Sequence, residues 1–103
     1  WCPPCVKEMP ELDRFAREFS NRGWQVLGVA IDQAEPVRAF LKVTPVGFPV
    51  VLAGADGLGW VRRLGNPAGG LPFSVVLSAP GQIVQRKLGA TDFDELARWA
   101  APT

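Results

Sequence analysis

The chain has 103 residues, of which 48% are hydrophobic and 20% charged, with a net charge of +1. It is sized for one compact core, it is too apolar for a disordered chain, and its charge excludes a broad pull toward nucleic acid or an anionic membrane. The chain contains no histidine, which removes Ser-His-Asp and Cys-His catalysis and most zinc chemistry.

Residues 3–21 read as a first helix. Pro3 and Pro4 suit a first turn, where a missing N–H costs nothing. Met9, Leu12, Phe15, Ala16 and Phe19 recur at helical spacing and mark its buried face. Glu11 with Arg14, and Asp13 with Arg17, can pair on the wet side. Pro10 should kink this helix and Gly23 should stop it. Residues 24–31 (WQVLGVAI) are short, apolar and β-rich without alternation, which predicts a strand covered on both faces.

Residues 35–42 follow as a short helix with Val37, Phe40 and Leu41 on one side, and residues 48–52 as a second buried strand. Asp56-Gly57 signals a turn, residues 60–64 a helical turn, and 65–70 a loop. Residues 74–78 and 83–88, joined by the tight turn Ala79-Pro80-Gly81-Gln82, read as a β-hairpin. Thr91 or Asp92 caps a last helix that runs to Ala100, with Phe93, Leu96, Ala97 and Ala100 apolar. Helices that alternate with strands before a terminal hairpin predict an α/β three-layer sandwich with a mixed sheet, in one domain over residues 1–103.

The two cysteines are Cys2 and Cys5, in the run Trp-Cys-Pro-Pro-Cys. At that spacing both sulfurs come within bonding reach on one turn, at a helix N-terminus whose free N–H groups favour a thiolate. Cys2, at the cap, is the expected nucleophile and Cys5 the resolving thiol. Pro3 and Pro4 remove two N–H groups that could face the Cys2 sulfur, which stabilises the thiolate less and makes the dithiol a better reductant. A zinc half-site would need further ligands from a second chain. A purely structural disulfide over so short a loop would stabilise little.

These residues, with Lys7-Glu8-Met9-Pro10 after them, resemble the thioredoxin-like proteins of the TlpA/ResA type. The match continues through Gly28-Val29-Ala30-Ile31-Asp32, Phe48-Pro49-Val50-Val51-Leu52, Gly70-Leu71-Pro72 and Gly81. The resemblance implies a cis bond at Pro72 facing the redox pair, with the backbone of Leu71 offered to an extended client segment. It also implies that Glu8, one turn after Cys5, influences proton transfers at the cysteines. Trp1 and Pro3 would flank the site and contact the client. Phe73 stands where the family often has Thr.

The family also has a central strand just before its Trp-Cys pair. A chain that opens at Trp1 is therefore expected to be N-terminally truncated, with any anchor upstream and with unpaired edges on the neighbours of that strand. Trp24, Trp60 and Trp99 are expected in or near the core. Arg62-Arg63 and Arg86-Lys87 are expected as solvated pairs.

The function the resemblance implies is a thiol-disulfide oxidoreductase outside the cytoplasm, in a bacterial periplasm or on the outer face of the cell membrane. It would reduce client proteins with oxidised cysteines, of the cytochrome c maturation or copper-site assembly type. A thiol donor protein would resupply it, and it would act as a monomer with no organic cofactor and no metal. Two alternatives stay open: a disulfide donor or isomerase, and a module in which Cys2 and Cys5 handle Cu(I).

Overall fold

The structure is a computed structural model that describes residues 2–101. Helix α1 spans Pro3–Phe19 and continues as a 3-10 turn over Ser20–Arg22. It runs through Pro10. The helical run stops at Gly23, whose φ of 83° is the left-handed conformation that a glycine adopts without strain. Strand β1 (Gly28–Ala30) leads to helix α2 (Ala34–Val43), and strand β2 (Val50–Leu52) to a 3-10 turn (Gly54–Asp56) and helix α3 (Gly57–Arg63). Strands β3 (Phe73–Leu77) and β4 (Ile83–Leu88) precede helix α4 (Phe93–Ala100).

The strands form two separate ladders. β1 pairs in parallel with β2, with Gly28 opposite Val50 and Ala30 opposite Leu52. β3 pairs antiparallel with β4, with Phe73 opposite Leu88 and a register shift between Val76 and Leu77. Parallel and antiparallel pairing are therefore both present, as a mixed sheet requires. Among the described residues no ladder joins the two pairs, so β1 and β3 each pair on one edge only.

The first expected strand is much shorter than predicted. Residues 24–27 are not extended into a ladder, because the chain is still bound to the end of the first helix: the Trp24 N–H donates to the Phe19 carbonyl at 3.2 Å. The Trp24 ring then packs edge-on against Phe15, 6.1 Å between centroids. Pairing begins where the Gly28 N–H reaches the Pro49 carbonyl at 2.9 Å. The expectation of burial on both faces also fails: Val29 is 56% and Leu52 47% exposed. Side chains alternate between the two faces of a strand, and Val29 points away from its half-buried neighbours Gly28 and Ala30, to a face in solvent.

The core lies between α1 and α4. Phe15, Leu96 and Ala100 are buried at its centre, with Leu12, Phe19, Trp24, Val26, Phe93 and Trp99 packed around them. Phe15 stacks on Phe19 at 4.5 Å between centroids, a spacing favourable for offset rings. Val37 and Phe48 are buried elsewhere. Trp60, expected near the core, is instead 58% exposed on α3, with the Arg63 guanidinium over its ring at 5.3 Å. This short helix turns the ring toward solvent.

The ion pairs on α1 differ from expectation in one place. Asp13 and Arg17 pair at 3.5 Å, as their spacing predicts. Arg14, however, pairs with Glu18 at 2.7 Å and lays its guanidinium over Phe93 at 3.7 Å. Its expected partner Glu11 is taken by α4: the Phe93 N–H donates to it at 3.2 Å. Among the described residues no helix is long and apolar enough to cross a membrane.

Candidate redox site

Cys2 caps α1. Its backbone is extended, and its sulfur accepts the Cys5 N–H at 3.3 Å. Pro3 and Pro4 explain this choice. They occupy the first two helical positions without an N–H, so Cys5 carries the first N–H of the helix. The Val6 N–H closes the first turn on the Cys2 carbonyl at 3.0 Å. One turn of helix sets the two Cα atoms 5.2 Å apart, and the cysteines are joined as a disulfide. Both residues are partly exposed, so the pair is within reach of another thiol.

Glu8 stands one turn beyond Cys5 and is buried, with 7% of its surface accessible. The Thr91 N–H donates to its Oε2 at 2.9 Å. Burial pushes the carboxyl above its usual range, and the Thr91 hydrogen bond and the positive field of Lys87 offset part of that rise. A cavity of about 320 Å³ adjoins it, lined also by Lys7, Pro10, Glu11, Ala90, Thr91 and Asp92. The carboxyl is thus held by the fold yet borders a polar cavity that could admit water for proton exchange.

The Leu71–Pro72 peptide bond is cis, the geometry the resemblance implies. Pro72 is buried, while Leu71 is 44% exposed at the surface. The Pro72 carbonyl accepts the Gly89 N–H at 2.9 Å, which fixes the loop to the end of β4. Asn66 shapes the approach to this bond. It is 3% exposed, and its Nδ2 donates to the Gly70 carbonyl at 2.7 Å, closing the loop before Leu71. Gly65 just ahead has φ of 110°, and a Cβ there would meet Arg86 Nε at 2.6 Å. That nitrogen donates to the Leu64 carbonyl, also at 2.6 Å.

Cys2, Pro3, Cys5 and Glu8 therefore share the start of α1, and Leu71 and Pro72 lie in the loop that leads into β3. Trp1 lies outside the described residues. Sequence reasoning missed Thr91 and Asn66 as holders of the site, and it missed Lys87, which is neither free nor fully solvated: Lys87 Nζ binds Glu95 Oε1 at 2.6 Å. An Asn between a helix end and a Gly-rich run is a turn signal that could have marked Asn66. The partners of Thr91 and Lys87 lie far away in sequence or across a strand-to-helix turn, and left no local signal.

A helix that opens on a Cys-x-x-Cys disulfide, in a chain that later presents a cis-proline before a terminal hairpin, is thioredoxin-like architecture. Comparison with known proteins agrees. Residues 1–98 match the Redoxin family, and the chain belongs to that family.

Among individual relatives, it is 28% identical over 98 residues to the thiol-disulfide oxidoreductase ResA of Bacillus cereus, covering 93% of this chain and 54% of that protein. It is also 28% identical over 103 residues to the sporulation thiol-disulfide oxidoreductase A of Bacillus subtilis, covering 96% of this chain and 60% of that protein. The chain thus spans little more than half the length of these relatives. Of solved structures, a thioredoxin-related protein from Neisseria meningitidis serogroup B superposes with a TM-score of 0.85 at 30% identity, over 100% of this chain and 79% of that one. StoA from Bacillus subtilis superposes with a TM-score of 0.80 at 26% identity, over 97% and 75%.

Proposed function

We propose that this chain is a thiol-disulfide oxidoreductase that reduces disulfides in client proteins through Cys2 and Cys5. The observation that carries the reading is the Cys2–Cys5 disulfide at the N-terminus of α1, with the Cys2 sulfur at the cap. The names of these relatives, both thiol-disulfide oxidoreductases, support it.

In the reducing direction the Cys2 thiolate attacks one sulfur of a client disulfide. The client's other sulfur leaves as a thiolate and takes up a proton, giving a mixed disulfide. The Cys5 thiolate then attacks the Cys2 sulfur. The client leaves as a dithiol, and the two electrons given up by the pair are stored there. A thiol donor protein restores the Cys2/Cys5 dithiol by the same exchange in reverse.

Glu8 takes the Cys5 proton in the resolving step, since it lies one turn away, is buried, and is held by Thr91. Leu71 offers backbone to the client beside Pro72, and Trp1 and Pro3 flank the sulfurs. The chemistry needs no organic cofactor and no metal, because the dithiol carries the electrons itself. In this reading, which the likeness to ResA supports, the protein works outside the cytoplasm as a monomer on apocytochrome c or on proteins that assemble copper sites. Its single-domain organisation belongs to the same reading.

The test is to trap the intermediate. Cys5→Ser should accumulate a mixed disulfide between Cys2 and a disulfide-bearing client peptide, seen by mass spectrometry, and Cys2→Ser should form none. Stoichiometric Cu(I) binding by the wild type with no exchange would replace the proposal with the metal-handling alternative.

A further inference from the structure

Lys87 lies on β4, in a strand whose other charged side chain, Arg86, is exposed and bound to the Leu64 carbonyl. Lys87 instead turns toward α4. Its Nζ is 2.6 Å from Glu95 Oε1, and its side chain is 32% accessible. The same Glu95 oxygen accepts the Thr91 hydroxyl at 2.7 Å. The Thr91 backbone N–H, in turn, is the donor to Glu8 Oε2 at 2.9 Å. Lys87, Glu95 and Thr91 thus form a continuous polar chain that ends on the buried carboxylate. No motif or spacing joins Lys87 to the cysteines. The fold alone brings Thr91, just ahead of α4, to Glu8 on α1, and Lys87 to Glu95 on α4.

We propose that Lys87, anchored by Glu95, is a positioning residue for Glu8 that sets the pH at which the Glu8 carboxyl exchanges its proton with the cysteine pair. This rests on the reading of Glu8 as the proton acceptor for Cys5. Lys87 supplies the positive charge on the β4 side of Glu8, opposing the cost of burial. Glu95 partly neutralises that charge and fixes its place.

Among the described residues, the other charged groups lining the cavity beside Glu8 are Lys7 and Glu11 on its own helix, and Asp92 at the start of α4. Glu11 and Asp92 are each engaged by a backbone N–H of α4, from Phe93 and Glu95 respectively. Arg98 acts on Glu95 as a second cation and stays in place when Lys87 is replaced.

The signs follow from charge. Lys87→Met removes a cation and leaves Glu95 facing Arg98 alone, so the ionised form of Glu8 is disfavoured and its titration midpoint rises. Glu95→Gln removes an anion and frees the Lys87 charge, so the midpoint falls. Lys87→Arg keeps the charge and holds the midpoint near the wild-type value. The expected shifts are on the order of half a pH unit for so partly screened a pair. Opposite signs from two changes at one contact cannot come from simple loosening of the α4 N-terminus.

The experiment follows the Glu8 side-chain carboxyl carbon by NMR titration in the oxidised protein, and in parallel the pH–rate profile of thiol exchange with a small disulfide. Wild type, Lys87→Met, Lys87→Arg, Glu95→Gln and Glu8→Gln are compared. The expected result is a midpoint raised in Lys87→Met, lowered in Glu95→Gln and retained in Lys87→Arg, with the limb of the rate profile moving in step. If Lys87→Met fails to fold, the Glu95→Gln and Lys87→Arg pair carries the test. Midpoints that agree among the folded Lys87 and Glu95 variants and wild type, while Glu8→Gln still changes the rate profile, overturn the role of Lys87 alone. A rate profile unchanged in Glu8→Gln overturns the reading of Glu8 itself.

Discussion

The backbone N–H of Thr91 donates to the carboxylate of Glu8 at 2.9 Å, across 83 positions of sequence. Beside it the Phe93 N–H donates to Glu11 at 3.2 Å. Two carboxylates of the helix that starts at the cysteines therefore meet the N-terminus of α4. Helix N-termini carry unpaired donors and partial positive charge, so this end both satisfies and stabilises the acids. The helix that starts at the cysteines and the last helix are tied at this buried acid.

That contact sets a pH dependence of stability. The folded-state pKa of Glu8 is raised by burial. A carboxyl with a raised folded pKa contributes its stability fully below the unfolded value, near 4.3, and loses it as pH rises through the folded value. Glu8→Gln keeps an acceptor for the Thr91 N–H but cannot ionise. We expect the stability of Glu8→Gln relative to wild type to increase as pH rises from about 4 to about 8. Urea denaturation at a series of pH values checks this, and a constant difference across the range would refute it.

Asp92 should matter for a different reason. It is the N-cap of α4, and its Oδ1 accepts the Glu95 N–H at 2.9 Å. Asp92→Ala removes this acceptor and should cost about 1 kcal/mol in urea denaturation. Asp92→Asn keeps a capping oxygen and should recover most of the loss.

The core and α3 should respond very differently to truncation. Phe15 is 4% exposed at the centre of the α1–α4 packing. Phe15→Ala should cost about 3–5 kcal/mol, a large share of the stability of a small domain. Trp60 is larger but mostly in solvent, and Trp60→Ala should stay within about 0.5 kcal/mol of wild type. Thermal and denaturant unfolding of the two variants side by side measures the contrast.

The elements with strong local signals were legible in the sequence. β4 and the end of α4 fall where the hairpin turn and the Asp92 cap place them, because turn chemistry and capping act over a few residues. Cys2 at the cap was legible for the same reason. Residues 24–27 were not: their apolar run reads as strand, but the Trp24 N–H is held by Phe19 and its ring belongs to the helical core. Glu8 was visible as a helical neighbour of Cys5. Its burial was not, because the groups that meet it across the fold, Ala90, Thr91 and Asp92, come from the turn between β4 and α4. Lys87 read as one of two solvated charges, since its pairing with Glu95 depends on the path of the chain between β4 and α4. Local chemistry sets the caps and turns, while tertiary contacts set the environment of the buried acid.

The reduction potential of the Cys2–Cys5 pair tests the proposed direction of electron flow most directly. Only the Cys5 N–H faces the Cys2 sulfur among the first helical positions, because Pro3 and Pro4 have none. A thiolate with so little help is poorly stabilised, which favours the disulfide and makes the dithiol reducing. Equilibration in graded thiol buffers, followed by alkylation and mass measurement, should give a potential of about −270 mV or lower. A value near about −120 mV would mean an oxidant, and would contradict the proposal that this protein reduces its clients.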